Sequence, residues 1–135
     1  MAKVLVVDDS KIMRVNVKRM LEKLGHEVVG EAEDGFSSVA KYEETTPDFV
    51  TMDITMPEKT GKINGEEVTV KDGIDAVECI KKIDSNAKII MVTSHGEQDK
   101  VLRAIKNGAK GYLLKPIKEE EMKTKIDKLG FSVEQ

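Results

Sequence analysis

The chain has 135 residues, 22 of them basic and 25 acidic, a formal charge of −3 at pH 7, with 39% apolar and 35% charged residues. That balance suits one globular domain with a core of its own and excludes disordered and collagen-like chains; the lack of a basic excess argues against a nucleic-acid binder. A single cysteine, Cys79, excludes an internal disulfide, and no apolar run approaches the ~20 residues of a membrane span. Met1-Ala2-Lys3 leads straight into an apolar run without the length of a signal peptide, so the expectation is a cytoplasmic domain with no membrane partner.

Short apolar runs alternate with helix-period segments. Val4 to Val7 reads as a strand closed by Asp8 and Asp9; Ser10 then caps a helix carrying Met13, Val17, Met20, Leu21 and Leu24, stopped at Gly25. Glu27 to Gly30 is a weaker second strand, followed by a helix that begins with Phe36, Val39 and Ala40. Phe49 to Met52 is a third strand, again closed by an acid, Asp53. Lys59 to Lys71 breaks the rhythm: it has no helical period, and Asn64-Gly65 predicts a tight hairpin turn with Val68 and Val70 in the return strand. Ile74, Val77, Ile80 and Ile83 mark a third helix, with Cys79 beside that face. Ile89 to Val92 is a fourth strand ending at Thr93, and Val101, Leu102 and Ile105 mark a fourth helix up to Gly108. Tyr112 to Leu114 is a fifth strand ending at Lys115-Pro116, and Met122, Ile126 and Leu129 build the last helix before Gly130.

Five β–α units in strict alternation predict an α/β fold, a doubly wound parallel sheet with helices on both faces. In such a sheet the ends of the strands lie along one edge, about 4.8 Å apart, and ligands bind at that carboxyl edge. Asp8, Asp9, Asp53, Thr93 and Lys115 all fall there, so residues far apart in the chain converge on one crevice. Crowded carboxylates either raise a pKa or recruit a cation, and hard oxygens with a phosphate suit Mg²⁺. Asp53 then serves as a nucleophile toward phosphorus, with Lys115 neutralising the equatorial oxygens and Thr93 donating to one of them. Taken singly, each residue has an ordinary alternative as a helix cap, a turn marker or a solvated charge; their joint placement at four strand ends carries the reading.

The segments VLVVDDS (Val4 to Ser10), EAEDG (Glu31 to Gly35), PDFVTMDITMPE (Pro47 to Glu58), DGIDAVECI (Asp72 to Ile80), AKIIMVTS (Ala87 to Ser94) and NGAKGYLLKP (Asn107 to Pro116) form one set. As a set they resemble response-regulator receiver domains of the single-domain, CheY-like kind. The resemblance implies the five-stranded flavodoxin-like order 2-1-3-4-5, in one receiver domain over residues 1–135 with an insertion at 59–71 after the third strand. It further implies that Asp53 is the phosphoacceptor and that Asp8, Asp9, Asp53 and the backbone carbonyl of Thr55 hold Mg²⁺. Thr93 is then the switch hydroxyl, Tyr112 the switch aromatic, and Lys115 the phosphoryl partner, next to a cis bond to Pro116. Thr55 and His95 match positions that modulate autodephosphorylation, and His26 reads as plain loop surface.

The function so implied is a phosphorylation-activated two-component signalling switch, expected not to be an enzyme although it catalyses its own phosphotransfer and autodephosphorylation with Mg²⁺. A sensor histidine kinase supplies the phosphoryl group. A surface built from the fourth helix, fifth strand and fifth helix, with Lys100, Lys106, Lys110 and Lys118 near Tyr112, then docks a protein target such as a flagellar switch protein. The expected protein is a monomer, with only Phe131 to Gln135 after the last helix and so no attached output domain. A phosphorelay intermediate feeding a histidine phosphotransfer protein is the alternative role. An aspartate-nucleophile phosphatase of the haloacid-dehalogenase type fits less well, because Thr55 stands where that family carries an acid. The thirteen residues KTGKINGEEVTVK depart from the receiver pattern. Gly61, Ile63 and Glu67 match late positions of a calcium loop, but Met56 stands at its first ligand position. The insertion is expected to be a hairpin that is a tolerated surface loop, a partial shield for the crevice, or a contact surface.

Overall fold

A computed structural model describes residues 1–133. Among these residues seven strands and five helices follow one another as β1 (Lys3–Val7), α1 (Lys11–Lys23), β2 (Glu27–Ala32), α2 (Gly35–Thr45), β3 (Phe49–Asp53), β4 (Lys59–Ile63), β5 (Glu66–Val70), α3 (Gly73–Ile83), β6 (Ile89–Thr93), α4 (Gln98–Lys106), β7 (Gly111–Leu114) and α5 (Glu119–Lys128). Five strands pair in parallel in the order β2-β1-β3-β6-β7, which is the order 2-1-3-4-5 once the inserted pair is set aside. The expected C-terminal tail is described as far as residue 133; Glu134 and Gln135 lie outside the described residues.

The sheet is buried on both faces: its central strands are apolar at most positions and buried at nearly all, and alternate side chains feed two separate cores. Leu5, Val7, Val50, Met52 and Met91 pack with Val39 of α2, Val77 and Ile80 of α3, and Ala104 of α4. Val4, Val6, Phe49, Ile90 and Leu113 pack with Val17 and Leu21 of α1 and with Met122 and Ile126 of α5. The first three helices start at side-chain caps. Ser10 accepts a hydrogen bond from the Met13 N–H (3.3 Å), Asp34 from Ser37 N–H (2.6 Å), and Asp72 from Ile74 and Asp75 N–H (2.9 and 3.0 Å).

One departure from the sequence reading has a clear cause. His26 is buried, not loop surface: its Nδ1 accepts the Ala2 N–H at 3.0 Å and its ring stands edge-on to Phe49, 6.1 Å between centroids. Ala2, just before the first strand, needs an acceptor there, and a histidine supplies one together with an apolar ring. In α4 the apolar residues do not all face the core. Val101 and Ala104 are buried, whereas Leu102 is 63% and Ile105 40% exposed.

The insertion forms the predicted hairpin. β4 and β5 pair antiparallel with Ile63 opposite Glu66, leaving Asn64 (φ 53°) and Gly65 (φ 84°) as a two-residue turn with both residues left-handed. The hairpin is a packed element and not a dangling loop. Val70 is buried in the core beside α2 and α3, and Gly61 lies so close to the Phe36 ring that a Cβ there would overlap it. Lys59 reaches over Phe36 and comes within 3.9 Å of Asp34. Its contacts therefore run to α2 and the start of α3.

Candidate functional site

β1, β3, β6 and β7 run parallel in register, Val7 beside Met52, Asp53 beside Val92 and Thr93 beside Leu114. This register brings Asp8, Asp53, Thr93 and Lys115 to one edge, as the spacing predicts. Carboxylate oxygens of Asp8, Asp9 and Asp53 lie within 4.8 Å of one another, with Asp8 and Asp53 buried and Asp9 exposed. Lys115 bridges two of the three: its Nζ is 3.3 Å from Asp53 Oδ1 and 3.3 Å from Asp8 Oδ2. The other oxygen of Asp8, Oδ1, accepts the Ser10 N–H at 2.9 Å, and Arg14 donates to the Asp8 carbonyl at 2.7 Å. The first acid is thus held from both sides before any ligand arrives.

Burial pushes the Asp53 carboxyl up to about 7, Asp8 and Asp9 push in the same direction, and Lys115 offsets part of the rise. Burial by itself would lower Lys115, but Asp53 and Asp8 outweigh it and keep the ammonium charged. The cationic charge of Lys115 beside Asp53 favours the ionised carboxylate, against burial and the two neighbouring acids. Three hard oxygen donors in one cluster are the donor set that a Mg²⁺ ion takes, alongside water and phosphate. Thr55 lies just past β3 and is exposed between buried Ile54 and Met56.

Thr93 is buried at the end of β6, and its hydroxyl is engaged with Glu97 Oε1 (3.1 Å) and the Ser94 carbonyl (3.3 Å). Among the described residues it makes no hydrogen bond to Asp53. Tyr112 is 47% exposed, with Lys125 Nζ 5.5 Å from its ring centroid. Between Thr93 and Tyr112 lies a cavity of about 310 Å³, also lined by His95, Val101, Leu102 and Leu114. The Lys115–Pro116 bond is cis.

Two residues of this site have roles that the sequence motifs do not announce. Gly73, at the start of α3, donates its N–H to the Ile54 carbonyl at 2.8 Å, and a Cβ on it would fall onto the Asp53 carbonyl oxygen. Only a glycine lets α3 approach the strand end that carries Asp53. Glu97 accepts hydrogen bonds from both Thr93 and Thr55, and nothing in its sequence neighbourhood announces that role.

This arrangement defines a class: an α/β domain with an aspartate-centred, lysine-paired acidic site at the ligand-binding edge of a doubly wound sheet. The chain belongs to the response regulator receiver domain family, whose profile matches residues 4–127. It is 44% identical over 128 residues to the chemotaxis protein CheY of Thermotoga maritima, covering 95% of this chain and 97% of the relative. It is also 44% identical over 126 residues to the Bacillus subtilis CheY, covering 93% and 95%. Among solved structures it superposes on the CheX–CheY–BeF3–Mg²⁺ complex of Borrelia burgdorferi with a TM-score of 0.81 and 28% identity, covering 96% of this chain and 90% of that one. No helix among the described residues is long and apolar enough to cross a membrane.

Proposed function

We propose that the chain is a phosphorylation-operated switch of chemotaxis type, and that Asp53 is its phosphoacceptor. The observation that carries this reading is the Lys115 ammonium held 3.3 Å from both Asp53 and Asp8 beside a three-carboxylate cluster. Asp8, Asp9, Asp53 and the Thr55 backbone carbonyl would hold Mg²⁺, which supplies positive charge to the oxygens of the phosphoryl group. An Asp53 oxygen attacks the phosphorus of a phosphohistidine on a sensor histidine kinase; the P–N bond breaks as the P–O bond forms, leaving an aspartyl phosphate and a free imidazole. Lys115 stays paired with the charge that develops, and Thr93 can turn its hydroxyl toward a phosphoryl oxygen once it leaves its present acceptors. Loss of the phosphoryl group to water is catalysed by the same site, with Thr55 and His95 beside the approach.

The output surface in this reading is the face of α4, β7 and α5. Leu102, Ile105 and Tyr112 are exposed on it, with Lys106, Lys110 and Lys118 also exposed, an apolar centre with cationic neighbours. It suits an acidic, partly apolar segment of a flagellar switch protein. The high coverage of chemotaxis relatives supports that target over a phosphorelay partner. Their function also supports a cytoplasmic monomer that works without nucleic acid or membrane. A kinase domain carrying labelled phosphohistidine, mixed with the chain and Mg²⁺, should lose its label to it, and the phosphorylated chain should bind a switch-protein peptide more tightly than the unphosphorylated one. Label that stays on the kinase, or peptide binding indifferent to phosphorylation, contradicts the reading.

A further inference from the structure

Glu97 is a charged group at the mouth of the site that the phosphoryl chemistry proposed above leaves without a task. It lies between β6 and α4 and is half-buried. Its Oε1 accepts the Ser94 N–H at 2.6 Å and the Thr93 hydroxyl at 3.1 Å, while its Oε2 accepts the Thr55 hydroxyl at 2.5 Å. Thr55 follows β3 and Thr93 ends β6, so one carboxylate ties together the two loops that flank Asp53. These bonds outweigh burial and hold the Glu97 carboxyl below its ordinary range.

A hydroxyl has one proton to donate. While Thr93 gives it to Glu97, it is not available to a phosphoryl oxygen on Asp53. A phosphoryl group also brings about two negative charges to the end of the neighbouring strand, where a like charge already stands. We propose that Glu97 is a positioning residue that holds the Thr93 and Thr55 hydroxyls in the resting arrangement and has to release Thr93 when Asp53 is phosphorylated. The proposal rests on Asp53 as phosphoacceptor. The consequence is thermodynamic: a contact made in the resting state alone lowers the affinity of the site for the phosphoryl group. It is also structural, because Glu97 leads directly into α4, so letting go of Thr93 frees the start of the helix that carries Leu102 and Ile105.

The test is a titration of the full chain with beryllofluoride and Mg²⁺, followed by calorimetry and by amide NMR of β7. The wild type should bind and Asp53→Asn should not. Glu97→Ala should bind roughly tenfold more tightly, the equilibrium worth of about one hydrogen bond to a charged acceptor. Glu97→Gln, which keeps an acceptor oxygen for Thr93 without the charge, should fall between the two. In a Thr93→Ala background most of the gain from Glu97→Ala should disappear, because the competing hydroxyl is gone. A merely structural helix-start role would lower thermal stability without raising affinity. Unchanged or weaker binding by both Glu97 variants, or an undiminished gain without Thr93, overturns the proposal while leaving the Asp53 reading intact. Binding that survives in Asp53→Asn overturns both.

Discussion

At the scale of single residues, burial acts in opposite directions on two titrating groups in the neutral range. Asp53 has a folded-state pKa raised from 3.8 to about 7, so the folded chain binds its proton more tightly than the unfolded chain does. Its stabilising contribution is complete below the unfolded pKa and is lost as pH rises through about 7. Burial, aided by the N-terminal ammonium, lowers His26 below 6.5, and Asp127 only partly opposes this. Its contribution is present above the unfolded pKa and is lost as pH falls through the lowered folded value. In EDTA, Asp53→Asn should therefore stabilise the chain by about 2 kcal/mol at pH 8, a gain that shrinks toward nothing near pH 4. His26→Gln should lose less stability than the wild type between pH 7 and pH 5. Urea unfolding across pH separates the two, and an Asp53→Asn gain that is the same at pH 4 and pH 8 would contradict the assigned shift. His26 also shows where residue type misleads: a histidine after a helix stop reads as surface, and only the fold shows that Ala2 needs its Nδ1.

At the scale of elements, the strand ends and the hairpin were legible because each rests on local pattern. An apolar run closed by an acid, and an Asn64-Gly65 pair between β-rich segments, carry their structure within a few residues. What stayed hidden depends on distance along the chain. Glu97 meets Thr55 across 42 residues, and the need for Gly73 arises only when α3 is laid against the end of β3. The hairpin was legible as a hairpin but not by its destination, since Phe36 and Val70 meet Gly61 and Gly35 only through tertiary packing. α3 also sets the position of the acidic site, so the site should feel a methyl group placed between them. Gly73→Ala should cost about 3 kcal/mol of stability, as overpacking against backbone that cannot yield. It should also slow phosphorylation of the fraction that folds. Thermal unfolding and the rate of labelling by acetyl phosphate check both parts, and a variant as stable and as reactive as the wild type would show that the close approach is not needed.

At the scale of the whole molecule, five parallel strands turn residues spread from position 8 to position 115 into one site, and the two faces of the sheet are closed by separate cores. The composition is unremarkable, and the function is carried by placement. Near-neutral charge agrees with a chain that acts by docking on another protein. The central claim is that a phosphoryl group is carried on Asp53. Intact-mass spectrometry after incubation with acetyl phosphate and Mg²⁺, with peptide mapping of the adduct, tests it most directly. The account predicts one added phosphoryl group on the segment containing Asp53, absent in Asp53→Asn; no adduct on the wild type, or an undiminished one in the variant, would contradict it.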